Sequence, residues 1–175
     1  MLKVKTLIIR QEKPFEYRDI YNLVKDAFQT AKVADRKEQD YVDKLRASGN
    51  YIPELALVAE EDGKLVGHIM LTKTYIIGVG SKFDVLLLAP LSVALQYRNR
   101  GIGSKLVEKS LELAKNMGYT AVFVVGDPAF YGRFGFKSSV LFGVKHVPPI
   151  ADEYVMVREL SVGSLTGVSG TVTFT

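Results

Sequence analysis

Residues 96–106 read QYRNRGIGSKL: Gly101 and Gly103 stand one residue apart, follow Arg98 and Arg100, and open a helical run. Glycine lets a ligand approach the backbone closely, and a helix start supplies unpaired N–H groups with partial positive charge. The stretch therefore predicts a phosphate or pyrophosphate site. The bland alternative is a glycine loop with a solvated basic edge.

The flanks decide what kind of fold carries this loop. After it, Ile102, Leu106, Ser110, Leu113, Ala114 and Met117 form one helical stripe, with Lys105, Glu108, Lys109, Glu112 and Lys115 on the outer face. Gly118 is a helix stop, and residues 121–125 (AVFVV) read as a buried central strand. Before it, two apolar runs flank Asp62-Gly63, a two-residue hairpin signal, giving strands at 55–60 and 64–77. A turn at 78–81 leads to a third strand, 83–93, so the three form a meander. Residues 5–10 predict a first strand, a helix follows Pro14 with Ile20, Leu23, Val24, Ala27 and Phe28 inward, and a second helix covers 38–47. Residues 128–134 predict a short helix ended by Gly135, and 154–160 and 170–174 predict two late strands. Helices, a meander and one strand–helix–strand crossover imply an α+β class with a mixed, mostly antiparallel central sheet flanked by helices, in a single domain over 1–175.

Two familiar phosphate motifs fail. A P-loop needs Gly-Lys before Ser or Thr, whereas Ser104-Lys105 follows Gly103. A dinucleotide fingerprint needs a third small residue where Leu106 stands, and the meander with one crossover does not build its doubly wound sheet.

Composition narrows the chemistry. The chain has 175 residues, 47% of them hydrophobic and 24% charged, with formal net charge +4. The balance fits a folded globular chain and an anionic ligand. It does not fit a nucleic-acid binder, because lysines and arginines are interspersed with acids rather than gathered in a stripe. There are no cysteines and two histidines, so no metal site is expected. The first 13 residues carry charges too often for a signal peptide, and the most apolar stretch, 85–95, is too short to span a bilayer. A cytoplasmic location is expected, with no membrane partner.

The loop and its surroundings resemble a family. Arg98-Asn99-Arg100-Gly101-Ile102-Gly103 resembles the Gln/Arg-x-x-Gly-x-Gly/Ala motif of GNAT-type N-acetyltransferases, and 130–136 (FYGRFGF) resembles that family's Tyr-x-x-x-Gly-Phe element. The element order resembles the GNAT-like acyl-CoA N-acyltransferase fold. Residues 126–136 (GDPAFYGRFGF), 53–59 (PELALVA) and the hairpin through Gly67-His68 resemble the YhbS-like subgroup.

The resemblance implies an acetyl-CoA-dependent N-acetyltransferase that uses a primary amine as acceptor, either a small molecule or a protein amino group. It implies that Arg98, Asn99, Arg100, Gly101, Ile102, Gly103 and Ser104 surround the coenzyme A pyrophosphate, and that Leu91, Ser92 and Val93 pair with the pantetheine arm. It implies that Tyr131 protonates the leaving thiolate. Glu54, before the strand that would border the acceptor cleft, is the candidate base, with Tyr51 nearby. Asp127 stands where many members have a cofactor-contacting asparagine: it replaces that contact, or the turn is tighter. His68 reads as a packed strand histidine, Glu60 and Glu61 as solvated, and Arg133 as a surface ion pair; His146 has no account. The acceptor pocket would use the loop at 29–37, whose Lys32, Asp35, Arg36 and Lys37 give no charge rule. A non-catalytic acyl-CoA-binding or sensing module on the same fold is the alternative. Oligomeric state is open, a homodimer included.

Overall fold

At Asp62 and Gly63 the chain takes positive φ values of 49° and 81°, the pair that a two-residue hairpin turn requires. This turn joins β2 (Ala56–Glu61) to β3 (Lys64–Gly78). The computed structural model describes residues 4–31 and 34–174, so Lys32 of the expected acceptor loop lies outside the described residues. The fold is α+β, a mixed and mostly antiparallel sheet flanked by helices. It divides into two compact units, Met1–Met70 with Pro90–Ser110, and Leu71–Ala89 with Leu111–Thr175. Three elements, β3, β4 (Ser81–Val93) and α3 (Ile102–Asn116), run through both.

In the first unit, β1 (Leu7–Gln11) pairs antiparallel with β2, and β2 with the first half of β3, where His68 sits opposite Val58. Helices α1 (Tyr17–Phe28) and α2 (Glu38–Ala47) cover one face. Their apolar stripes, Ile20 and Val24 with Val42 and Leu45, bury against Ala56, Val58 and Met70. Pro14 and the Glu16 carboxylate, which accepts the Lys13 N–H at 2.9 Å, start the segment that becomes α1. The start of α3 lies against the other face. A Cβ on Gly67 would stand 2.9 Å from Leu106 Cδ1 and 3.3 Å from Ile102 Cγ2, so only glycine permits this approach.

In the second unit, β5 (Ala121–Val125) pairs parallel with β4 over Leu86–Leu88, the crossover expected around α3. β5 then pairs antiparallel with β8 (Val155–Glu159), and β8 with the short β6 (Lys137–Ser138). β9 (Gly170–Val172) pairs with both β3 and β7 (Val144–His146). The core here is Ile76, Val85, Leu87, Ala121, Phe123, Val144, Val155, Val157, Leu165 and Val172. A short α4 (Pro128–Tyr131) runs on as a 3-10 turn to Phe134, and Gly135 stops it at φ 83°.

The structure departs from the sequence reading in two places. β6 and β7 are short strands set by their partners, and nothing in two or three residues of sequence announces them. The α3 stripe includes Val107 and Leu111, which are buried, while Met117 is exposed in the last turn, beyond the ground that the helix covers. Gly118 does end α3 as expected: φ is 89°, and the Tyr119 N–H reaches back to the Ala114 carbonyl at 3.1 Å.

Candidate active site

The start of α3 leaves a row of backbone N–H groups without helical partners, a candidate anion cradle. The Lys105 N–H is the first to find a helical carbonyl, that of Gly101 at 3.1 Å. By helix geometry the amides of Gly101, Ile102, Gly103 and Ser104 have no partner within the helix. Asn99 and Gly101 take positive φ, 61° and 78°, which turns the backbone into the helix, and no atom stands within 4 Å of where a Gly101 Cβ would be. Ile102 is buried and anchors the turn. These residues fit a pyrophosphate, with the backbone as the main donor.

The two arginines divide. The Arg98 guanidinium donates to the Ala27 carbonyl at 2.7 Å, Thr30 Oγ1 at 3.1 Å and the Val93 carbonyl at 3.3 Å. Its side chain ties the end of α1 to the end of β4 and is therefore occupied. Arg100 remains half-exposed, lies over the Tyr97 ring at 5.1 Å and sits 3.7 Å from Glu61. It leaves positive charge beside the cradle. Glu61 and Glu60 are thus ion-paired rather than merely solvated, since Glu60 meets Arg10 at 2.7 Å.

Leu91, Ser92 and Val93 form the last residues of β4. Leu91 and Val93 are partly exposed, while Ser92 is buried at 3% exposure and its Oγ has no hydrogen-bond partner. Pairs between β4 and β5 run from Leu86↔Val122 to Leu88↔Val124, although β4 continues for five more residues.

In the second unit, Asp127 caps α4, its Oδ1 accepting the Ala129 N–H at 2.9 Å. Capping is thus the role its side chain has here. Tyr131 sits on α4 with its ring edge-on to Phe130 at 4.9 Å and Phe136 at 5.6 Å. The Gly126 backbone lies against the Cδ2–Cε2 side of the ring, where any Cβ would collide. The side chain keeps some accessible surface, and burial of the rest pushes its phenol above the usual tyrosine range. Tyr131 therefore carries its proton throughout the neutral range. Arg133 lies over the Phe130 ring at 4.8 Å, and among the described residues it does not make the expected ion pair. His146 meets Asp152 at 2.7 Å at the end of β7.

Glu54 occupies an exposed 3-10 turn, Pro53–Leu55, with no side-chain partner among the described residues. Behind that turn lies a cluster that sequence reasoning missed. The buried Glu12 carboxylate receives three bonds from Arg46, Nη2 to Oε2 at 2.7 Å, Nε to Oε2 at 3.0 Å and Nη2 to Oε1 at 3.1 Å, and meets His68 Nε2 at 3.3 Å through Oε1. The Arg46 guanidinium also stacks on the Tyr17 ring at 3.8 Å. Burial works to raise the Glu12 carboxyl, but the bonds from His68 and Arg46 outweigh it, so Glu12 lies below its ordinary range and stays ionised. Burial, the Glu12 charge and a bond with Tyr17 raise the Tyr51 phenol. The sequence offered no signal for this cluster, because Glu12, Arg46 and His68 sit on three separate segments. Among the described residues no three metal-ligating side chains gather.

Comparison with known proteins agrees with this geometry. The model of the acetyltransferase (GNAT) domain family matches residues 8–138. The chain is 30% identical to the uncharacterized N-acetyltransferase YhbS of Escherichia coli K12 over 96% of both chains. The crystal structure of the E. coli GNAT family N-acetyltransferase YhbS in complex with CoA superposes with a TM-score of 0.88 at 28% identity, covering 100% of this chain and 93% of that one. A GNAT family acetyltransferase from Brucella melitensis, in complex with acetyl-CoA, gives a TM-score of 0.79 at 28% identity, with 97% and 96% covered. With the helix-start cradle and the Tyr-x-x-x-Gly-Phe element both in place, this chain belongs to the GNAT family of acetyltransferases.

Proposed function

We propose that the chain moves an acetyl group from acetyl-CoA to a primary amine by direct attack of the amine on the thioester. The observation that carries this reading is the α3 start: four unpaired amides, a glycine with open space and a half-exposed arginine, in a chain that superposes over its full length on a CoA-bound relative. In this reading residues 98–104 receive the pyrophosphate mainly through backbone N–H groups. Leu91, Ser92 and Val93 offer strand edges to the pantetheine arm. Acetyl-CoA brings the activated acyl group; the protein orients it and handles protons.

Two proton transfers are needed. An ordinary alkyl amine is protonated at neutral pH, with a pKa near about 10, and must lose a proton before attack. The leaving sulfur must gain one. Tyr131 suits the second task, because its phenol stays protonated and its ring is held by Phe130, Phe136 and the close Gly126 backbone. Glu54 suits the first task poorly, since it faces water and nothing fixes its direction. A small amine or a protein amino group as acceptor, and a cytoplasmic location where acetyl-CoA is made, are parts of this reading.

A coenzyme A release assay against a panel of primary amines, run beside a calorimetric measurement of acetyl-CoA binding, tests it. Turnover with at least one amine is expected. Binding with no turnover on any amine would favour the acyl-CoA sensor. Tyr131→Phe is expected to lower kcat by about tenfold or more while leaving acetyl-CoA affinity within about twofold. A kcat within about twofold of the parent would remove Tyr131 from the acid role.

A further inference from the structure

Gly126, Gly132 and Gly135 flank Tyr131 along the chain, and the structure treats the three differently. Gly135 takes φ 83°, the left-handed region, where it stops the turn after α4. Gly132 has φ −56° and ψ −30°, and no atom stands within 4 Å of where its Cβ would be. Side chains fit at that position. Gly126 lies outside the left-handed region, so its φ does not call for glycine. Yet a Cβ there would stand 2.4 Å from Tyr131 Cε2 and 2.7 Å from Cδ2. The tyrosine ring, and not the backbone, demands glycine at 126.

The Gly126 main chain is fixed on both sides. Its N–H donates to the Tyr154 carbonyl at 3.0 Å, one step past the Val125↔Val155 pair of β5 and β8. Asp127, next along, caps α4, and its carbonyl accepts the Tyr131 N–H at 3.0 Å. The softest part is therefore the tyrosine side chain. Ordinary contact begins at 3.4 Å, so Cε2 would have to retreat by about 1 Å from an added Cβ. Rotation about χ2 alone keeps the phenol oxygen on its axis. Phe130 and Phe136 oppose that rotation, because they meet the ring at 88° and 70°. Phe136 is buried, and Phe130 is backed by Phe134 at 5.2 Å. A swing at χ1 remains, and it carries the oxygen with the ring.

Resting on the acetyl-transfer reading above, in which Tyr131 protonates the leaving sulfur, we propose that Gly126 is a positioning residue whose missing side chain seats the Tyr131 ring and so sets where its hydroxyl stands. Gly126 touches no reacting atom in this role and acts through the tyrosine. The step it serves balances as follows. The free amine attacks the acetyl carbonyl carbon, the C–N bond forms, the C–S bond breaks, and the sulfur takes the phenol proton. The proton released by the nitrogen, carried by solvent, restores the phenol. A reacting group misplaced by about 1 Å can lose about a hundredfold in rate, so the seat matters to turnover far more than to binding.

The test is a double-mutant cycle on kcat, with acetyl-CoA as donor and spermidine, phenethylamine and a lysine peptide as amines. Gly126→Ala should lower kcat by about tenfold or more, with KM for acetyl-CoA within about twofold of the parent. Added to Tyr131→Phe it should cost nothing further, because no hydroxyl is left to misplace. Gly132→Ala, beside the same tyrosine but in open space, should keep kcat within about twofold. A Gly126→Ala kcat within about twofold of the parent overturns the seat. So does an equal loss in the Tyr131→Phe background, the mark of a general disturbance. Full kcat in Tyr131→Phe alone removes the acid role and the seat with it, while acetyl transfer stands. Absence of turnover in the parent takes down the acetyl-transfer reading and the catalytic role of the seat together. Aromatic NMR reads the ring without any acceptor. Gly126→Ala should shift the Tyr131 ring resonances, identified by their loss in Tyr131→Phe, and Gly132→Ala should move them far less. Unmoved resonances in Gly126→Ala overturn the seat. Where Gly126→Ala lowers the urea midpoint, Tyr131→Ala as the background should abolish that loss, and an undiminished loss overturns the claim that the ring demands glycine.

Discussion

The loop at 98–104 and the Glu12–Arg46–His68 cluster belong to the same unit and are built in opposite ways. The loop offers main-chain amides from one contiguous stretch, and its conformation comes from positive φ at Asn99 and Gly101 with Ile102 buried beneath. The cluster offers charged side chains from three segments, brought together only when β1, α2 and β3 have packed. The first is open to a ligand and indifferent to most side chains. The second is closed, and each member depends on the others. A backbone site fails when something blocks it, whereas a buried charge cluster fails when one partner is taken away.

The largest effect expected is at the loop. Gly103→Trp places bulk on the cradle, and acetyl-CoA affinity by calorimetry should fall by about a hundredfold or more, about 2.7 kcal/mol. Retained affinity would break the distinction, since the main chain would then not be the donor. Next comes the cluster. Arg46→Ala leaves Glu12 buried and uncompensated, and should lower unfolding free energy in urea by about 3–5 kcal/mol. A loss below about 1 kcal/mol would show that the cluster is no tighter than a surface pair.

Acid should separate the two further. Glu12 titrates below its ordinary value of 4.5 in the folded chain, so the unfolded chain binds its proton first as pH falls. Its contribution is in force above 4.5 and is lost as pH drops through the lower folded value. Urea midpoints should decline in that range, and Glu12→Gln should flatten the decline. The smallest effect expected is Arg100→Ala, which removes an exposed charge but keeps its amide. Acetyl-CoA affinity should change by about 1 kcal/mol or less, and a larger loss would move the loop toward side-chain recognition.

The same contrast marks what the sequence made legible. Asp62-Gly63, Gly118 and the run at 121–125 signal their structures through local spacing, and the fold places each as read. The turn into α3 was legible because all its parts lie within seven residues. Tyr131 was legible through its spacing from Gly135, but its packing against Gly126 was not, since a close approach leaves no mark beyond one more glycine. Glu12 reads as one charge in a run of charges after a short strand, and Arg46 as a basic residue ending an amphipathic helix. Only packing reveals that they face each other. His68 was readable as buried from its alternation with Val66 and Met70, yet not as polar-bonded, because its partner lies 56 residues away in sequence.

Arg98 has a consequence of another kind. By gripping the Ala27 and Val93 carbonyls and Thr30, it staples the last turn of α1 to the strand that leads into the cradle. The connection from α1 to α2 is therefore anchored at its root, and Arg36 anchors it again from the α2 side by donating to the Phe28 and Ala31 carbonyls. A change at Arg98 would thus be felt at two places at once, the exit of α1 and the backbone that enters α3.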